Sequence, residues 1–270
     1  MARLIKLIGI DVDGTLVGSS GIVDPAVWRA AERVRAAGIH LALCSGRPAF
    51  GLALEYAQRL DDGWHSFQNG ASVVNLASGR SISSTLPAEF VSTLMAQARS
   101  TGRLLELYSD NDFASESTSD WAREHAALLG VPFEPRPFES LRGAAVRAQW
   151  VVSPMNSART IAEAPPGVEV AESTSPLMPD ARFIGMTRAG VSKGSALRSI
   201  VADYGMSLDE VMYVGDAGND MSALQIVGYP VAMANADPAV LAIARHVAGH
   251  ADRAGLVDAL ELALSERGKD

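Results

Sequence analysis

The stretch Leu4 to Gly18, LIKLIGIDVDGTLVG, constrains this chain more than any other. It begins as a continuous apolar run and stops on two carboxylates, Asp11 and Asp13, followed by Gly14 and Thr15. An unbroken apolar run of this kind reads as a strand of a parallel sheet buried on both faces, and open α/β sheets place their ligands at the carboxyl ends of such strands. Asp11 is therefore expected at the strand tip and Asp13 on the turn beyond it. Side chains alternate between the faces of an ideal strand, so both acids can serve one site only if the chain turns there. Gly14 permits that turn.

The rest of the chain supports a doubly wound architecture. Asp24-Pro25 reads as an N-cap and first helical position, opening a helix to Gly38. Ile39 to Cys44 is a second apolar strand that ends in Ser45-Gly46-Arg47-Pro48, and a helix follows from Ala49 to Leu60. Phe67 to Gly70 closes a short strand, and Val73 to Ile82 reads as a hairpin turning near Ser78-Gly79. From Ser84 the rhythm changes to helices and short-turn strands, which suit an antiparallel α+β sheet. The α/β rhythm returns at Ser192-Lys193-Gly194, and the strand Val211 to Val214 runs into GDAGND, Gly215 to Asp220. The expected fold class is α/β: a Rossmann-like doubly wound parallel sheet core with an inserted α+β cap. The boundaries fall at 1–83 and 187–270 for the core and 84–186 for the cap.

Composition narrows the partners. A length of 270 residues is ample for a real core, and 48% hydrophobic with 20% charged residues describes an ordinary globular protein. A formal net charge of −8 argues against a nucleic acid or an anionic membrane as partner. No apolar run approaches the roughly 20 residues of a membrane span, and no signal peptide is legible. The single cysteine, Cys44, excludes an intrachain disulfide, suits a cytoplasmic setting, and reads as a small buried hydrophobe. A monomer or small homo-oligomer is expected.

Four motifs stand at strand ends or a helix start: DVDGT, SGRP, SKG and GDAGND. Together they supply four carboxylates, the Ser45 hydroxyl and the fixed cation Lys193. Neighbouring carboxylates raise one another's pKa, and a hard divalent cation relieves the repulsion. Mg²⁺ suits an all-oxygen donor set, while no His or Cys accompanies the acids to suggest zinc. A cation held there can take a phosphate oxygen, and Lys193 another. Ser45 and the backbone amides near Gly14 and Gly46 can donate to the rest. Asp11 is then a candidate nucleophile, with Asp13 as the acid and base of a two-step phosphoryl transfer.

These motifs, in this order, resemble the four motifs of the haloacid dehalogenase superfamily of phosphohydrolases. QNGA before the insertion and VAMANA after the last motif extend the likeness, and the insertion is similar to the C2-type (C2B) cap of the Cof-type branch. The resemblance implies Asp11 as nucleophile, Asp13 as acid/base, and the Asp13 main-chain carbonyl with Asp11, Asp216 and Asp220 around Mg²⁺. It implies Ser45, Gly46, Lys193 and Asn219 as phosphate contacts, with Lys193 also steadying the nucleophile. A mobile cap would close over the cleft, and sugar phosphates head the implied substrates. Cys44-Ser45, where Ala-Thr is common, and ADRAGL, where relatives often show an acidic-Gly pair, are departures.

Arg47 reads either as a contact to substrate or cap, or as the anchor of its own loop through an ion pair. Asn69 reads as a cleft residue or as part of a plain Asn-Gly turn. Other functions use the same parts. A phosphomannomutase-like phosphotransferase would pass the phosphoryl group to a second hydroxyl. A receiver-type signalling module needs neither Asp13 nor a large cap. A dinucleotide-dependent oxidoreductase would carry G-x-G-x-x-G after the first strand, and none is present.

Overall fold

The computed structural model describes residues 4–175 and 177–267. Along the chain run β1 (Leu7–Ile10), α1 (Pro25–Ala36), β2 (His40–Leu43), α2 (Leu52–Leu60), β3 (Trp64–Phe67) and β4 (Ser72–Asn75). Then come α3 (Ala88–Thr101), β5 (Leu104–Tyr108), β6 (Phe113–Ala114), α4 (Asp120–Leu129), β7 (Arg147–Val152), α5 (Pro154–Ala162), β8 (Val168–Ser175) and β9 (Met178–Arg188). The last part holds α6 (Lys193–Asp203), β10 (Val211–Gly215), α7 (Met221–Leu224), β11 (Tyr229–Met233), α8 (Pro238–Ile243), β12 (His246–Ala248) and α9 (Leu256–Arg267). Two compact units result: one from Met1–Arg47, Ala53–Ile82 and Ser192–Asp270, the other from Pro48–Leu52 and Ser83–Val191.

The first unit is built on a parallel sheet in the order β12-β11-β10-β1-β2. All four β1 residues are buried, as an apolar run between two helical layers requires. Asp24 caps α1 by accepting from the Ala26 N–H at 2.7 Å, and Pro25 occupies the first turn, where its missing N–H costs nothing. On one face Leu7, Trp64, Leu197, Ile200, Tyr213 and Leu224 form a core; Ile8 and Ile10 are buried on the other. Gly9 makes room for Tyr213: a Cβ there would lie 2.6 Å from the tyrosine ring.

Register is what positions the site. Ile10 pairs with Leu43 on one side and with Val214 on the other. The ends of β2, β1 and β10 are therefore level, and the residues that follow them emerge at one edge of the sheet. The chain leaves β1 for β2 on one side and returns to β10 on the other, which makes this edge a topological switch point.

The second unit is an antiparallel sheet, β6-β5-β7-β9-β8, inserted into the core as a cap. Leu105, Leu107, Trp150, Ile184 and Met186 line one of its faces, packed with Leu94 and Ala98 of α3. Leu104, Val151 and Phe183 line the other face, packed with Ala122 of α4.

Three elements differ from the sequence reading. The hairpin expected over Val73 to Ile82 forms but is short, bridged at Val74 and Ser81 with the Ile82 N–H donating to the Val73 carbonyl, and β4 makes its longer ladder in a second hairpin with β3, Trp64 to Asn75 through Phe67 to Ser72. The turn that closes this hairpin is Gln68–Gly70, with φ of 54°, 55° and 103°, a left-handed run that Asn-Gly accommodates. β8 and β9 are longer than their apolar stretches because β8 is largely exposed and polar, which hides its alternation. β12 has three residues and was not anticipated. Among the described residues no helix is long and apolar enough to cross a membrane.

His65 ties β2 to β3. It is fully buried; Nδ1 accepts the Leu43 N–H and Nε2 lies 3.0 Å from the Asp61 carbonyl, to which it donates. The Leu43 amide can only donate, which assigns the neutral tautomer. Burial holds the imidazole down at about 4. Between that value and the ordinary 6.5 the unfolded chain binds the extra proton, so His65 removes stability as pH falls, by about 2 kcal/mol from pH 7 to pH 5. Urea unfolding at those two pH values tests this. His65→Asn is expected to be the less stable protein at pH 7, yet to lose roughly 2 kcal/mol less than the wild type on acidification; equal losses would contradict the assignment.

Candidate active site

Asp11 follows β1 directly, and its backbone N–H donates to the Val214 carbonyl at 3.0 Å, which extends the ladder by one residue toward β10. Its carboxylate meets Lys193, whose Nζ lies 2.5 Å from Asp11 Oδ1 and 2.7 Å from Asp220 Oδ1. Lys193 opens α6, where Ser192 and Ser195 form a reciprocal capping box. A cation at a helix N-terminus opposes the helix dipole, and a buried ammonium is costly; two carboxylates in contact offset both. Burial works against the ammonium, but Asp11 and Asp220 outweigh it and raise Lys193 above its ordinary value.

Asp220 is wholly buried and saturated with donors. Oδ1 accepts from Lys193 and, at 2.7 Å, from the Tyr213 hydroxyl; Oδ2 accepts from the N–H groups of Asp216 and Ala217 at 3.0 and 3.1 Å. The GDAGND loop thus folds back on its own last acid. Tyr213 remains a protonated donor, since burial and the Asp220 charge raise its pKa further.

Asp216 begins that loop from the end of β10. Its Oδ1 accepts the Thr15 hydroxyl at 3.1 Å, and a Cβ on Gly14 would lie 2.1 Å from its Oδ2. Only a glycine, here with φ of +86°, lets the loop after β1 approach so closely. Oxygens of Asp11, Asp216 and Asp220 lie within 4.8 Å of one another. Three carboxylates and one ammonium leave two negative charges. Burial, and then the nearby Asp220, holds Asp11 well above the usual carboxylate range and pushes Asp216 up to about 6. An all-oxygen cluster short of two positive charges fits a hard divalent cation.

The other sequence-derived residues surround this centre. The Asp13 carboxylate stands outside the cluster, forked by Arg47: Nε to Oδ2 is 3.0 Å and Nη2 to Oδ1 is 2.5 Å. Arg47 thus ties its own loop to the loop that follows β1. Ser45 is buried, and its Oγ accepts the Arg47 N–H at 3.0 Å, which leaves the hydroxyl proton free to be donated elsewhere. The Asn69 N–H donates to the Ser45 carbonyl, and Asn219 Nδ2 donates to Asn69 Oδ1 at 3.0 Å. Gly46 abuts the Asn69 amide. Cys44 is buried and its thiol is pushed up to about 12, first by that burial, which makes it an inert packing group.

Sequence reasoning did not assign Thr15, Tyr213 or Asn235. Thr15 holds Asp216, Tyr213 holds Asp220, and Asn235 Nδ2 donates to the Gly14 carbonyl at 2.8 Å. Tyr213 lies inside an apolar strand and gives no signal of its hydroxyl's partner. Asn235, a polar residue just past the apolar strand β11, could have been singled out.

The haloacid dehalogenase-like hydrolase family model matches residues 8–260. The chain belongs to that family of hydrolases. It is 29% identical over 276 residues to YxeH of Bacillus subtilis (strain 168), covering 97% of this chain and 99% of YxeH. It is 28% identical to the pyridoxal phosphate phosphatase YbhA of Escherichia coli (strain K12), covering 90% and 93% of the two chains. A haloacid dehalogenase-like hydrolase from Bacteroides thetaiotaomicron superposes with a TM-score of 0.82 at 25% identity, covering 96% of this chain and 99% of the other.

Protons and a divalent cation compete for Asp216 and Asp11. Because Asp216 holds its proton up to about pH 6, Mg²⁺ titrated calorimetrically should bind at least about tenfold more weakly at pH 5 than at pH 7 and release protons at the lower pH. Asp216→Asn should weaken binding and flatten the pH dependence. Affinity that is level from pH 5 to 7 in the wild type would contradict the cation site.

Proposed function

We propose that the protein is a Mg²⁺-dependent phosphatase that hydrolyses small-molecule phosphate monoesters through an aspartyl-phosphate on Asp11, with sugar phosphates as the first substrate class. The observation that carries this reading is the buried Asp11–Lys193–Asp220 chain beside Asp216, at the carboxyl ends of β1 and β10. Pyridoxal phosphate, the substrate class named for YbhA, belongs beside the sugar phosphates in any test.

Asp11 and Asp216, with the Asp13 carbonyl, would hold the cation, while Asp220, whose oxygens already accept four hydrogen bonds, contributes charge and anchors Lys193. The bound cation would neutralise the cluster and draw charge from the phosphate oxygens. Lys193 fixes the rotation of the Asp11 carboxylate and offers a further donor to phosphate. Ser45 and Asn219 donate to the remaining oxygens.

The Asp11 carboxylate forms an O–P bond as the ester P–O bond breaks, and Asp13 gives its proton to the departing alkoxide. A water then attacks phosphorus and loses its proton to Asp13, the bond from phosphorus to Asp11 breaks, and inorganic phosphate leaves. For Asp13 to serve in this way, its fork with Arg47 must open.

Phosphate release from a panel of sugar phosphates, pyridoxal phosphate, phosphoglycolate and nucleotides, with Mg²⁺ or EDTA, tests the proposal. Turnover should require Mg²⁺ and fall by roughly three orders of magnitude or more in Asp11→Asn. Release that survives Asp11→Asn would remove the nucleophile assignment. A hexose phosphate isomerised with a bisphosphate activator, in place of hydrolysis, would mark a phosphotransferase.

A further inference from the structure

We infer that Asn235 is a positioning residue of this site, holding the Gly14 peptide so that the Asp13 carbonyl and Asp216 stay aligned for the cation; the inference rests on the phosphatase reading above. The chain leaving β1 is held at both peptides that flank Gly14. The Gly14 N–H donates to the Val17 carbonyl at 2.8 Å, which sets the plane of the Asp13–Gly14 peptide and hence the direction of the Asp13 carbonyl. The Gly14 carbonyl, in the next peptide, accepts from Asn235 Nδ2 at 2.8 Å. Gly14 needs such restraint. A glycine at φ +86° has no side chain to bias it, and a Cβ there would run into the Asp216 carboxylate.

Asn235 is itself held in place. Its Oδ1 accepts the Ala251 N–H at 2.9 Å, so the amide spans two backbone groups of opposite character. The Gly14 carbonyl can only accept and the Ala251 amide can only donate, which assigns the two ends of the side chain. No carboxylate or hydrocarbon of similar size does both. An Asp here would turn a charged oxygen toward the Gly14 carbonyl and add a negative charge beside an acidic cluster.

A second contact from the same loop points the same way. Two residues beyond Asn235, the Asp237 N–H donates to the Asp216 carbonyl at 2.8 Å. The segment after β11 thereby braces both strand ends that carry the cation site, one through the Asn235 amide and the other through the main chain. Groups behind a metal site typically change its affinity by about 10–100-fold when removed.

Calorimetric titration of Mg²⁺ into the substrate-free protein reads this role without turnover. Asn235→Ala should weaken Mg²⁺ binding about tenfold, and Asn235→Asp should weaken it more. In the assay with the best ester of the panel, kcat at subsaturating Mg²⁺ should fall while KM changes by less than about twofold, and raising Mg²⁺ should restore most of the loss. Ala251→Pro perturbs the amide from its other end, replacing the N–H that Asn235 Oδ1 accepts by a ring carbon that pushes against that oxygen, at the first residue of a short helical turn where proline is tolerated. It should give a smaller loss in the same direction, and it keeps the test alive if Asn235→Ala does not fold. Mg²⁺ affinity and kcat within twofold of wild type in both Asn235→Ala and Ala251→Pro would overturn the role while leaving the phosphatase reading intact. A wild-type protein that neither binds Mg²⁺ nor releases phosphate would overturn both.

Discussion

The Lys193 ammonium, buried between Asp11 and Asp220, is the contact that the site depends on. It joins the loops that follow β1 and β10 through one cation placed against two buried carboxylates. Removing the lysine would strand two carboxylates, and removing either acid would strand the lysine. The arrangement is still incomplete electrically. The raised pKa values of Asp11 and Asp216 are the signature of a cluster that holds protons where a divalent cation belongs.

Parallel register does the rest of the placement. With Ile10 level with Leu43 and Val214, three loops leave the sheet at the same height, and residues distant in sequence meet there. Close backbone approach then sets the fine geometry. Gly9 admits the Tyr213 ring that reaches Asp220, and Gly14 admits Asp216. Side-chain bonds from Thr15 and Asn235 hold what the glycines leave free.

Much of this was legible in the sequence, because buried parallel strands write themselves as apolar runs and their ends carry the polar residues. LIGI before Asp11 and VMYV before Gly215 located both strands, and the order of the motifs located the residues that the structure brings together. The missed features have physical reasons. β12 is too short to show a period, and β8 is too exposed to alternate. Tyr213 looks like any core aromatic until Asp220 folds back beneath it. The Arg47 fork on Asp13 depends on the course of two loops, which no local pattern encodes. Asn235 stands out as a polar residue just past an apolar strand, but no local pattern names the Gly14 carbonyl as its partner.

The central claim is a covalent phosphoenzyme on Asp11. Rapid mixing of the Mg²⁺-loaded protein with its best ester, quenching during turnover, borohydride reduction and peptide mass spectrometry test it directly, because an aspartyl-phosphate is reduced to homoserine where a free carboxylate is not. The account predicts homoserine at position 11 and nowhere else. Active turnover with an unmodified Asp11, or with the label on another residue, would contradict it.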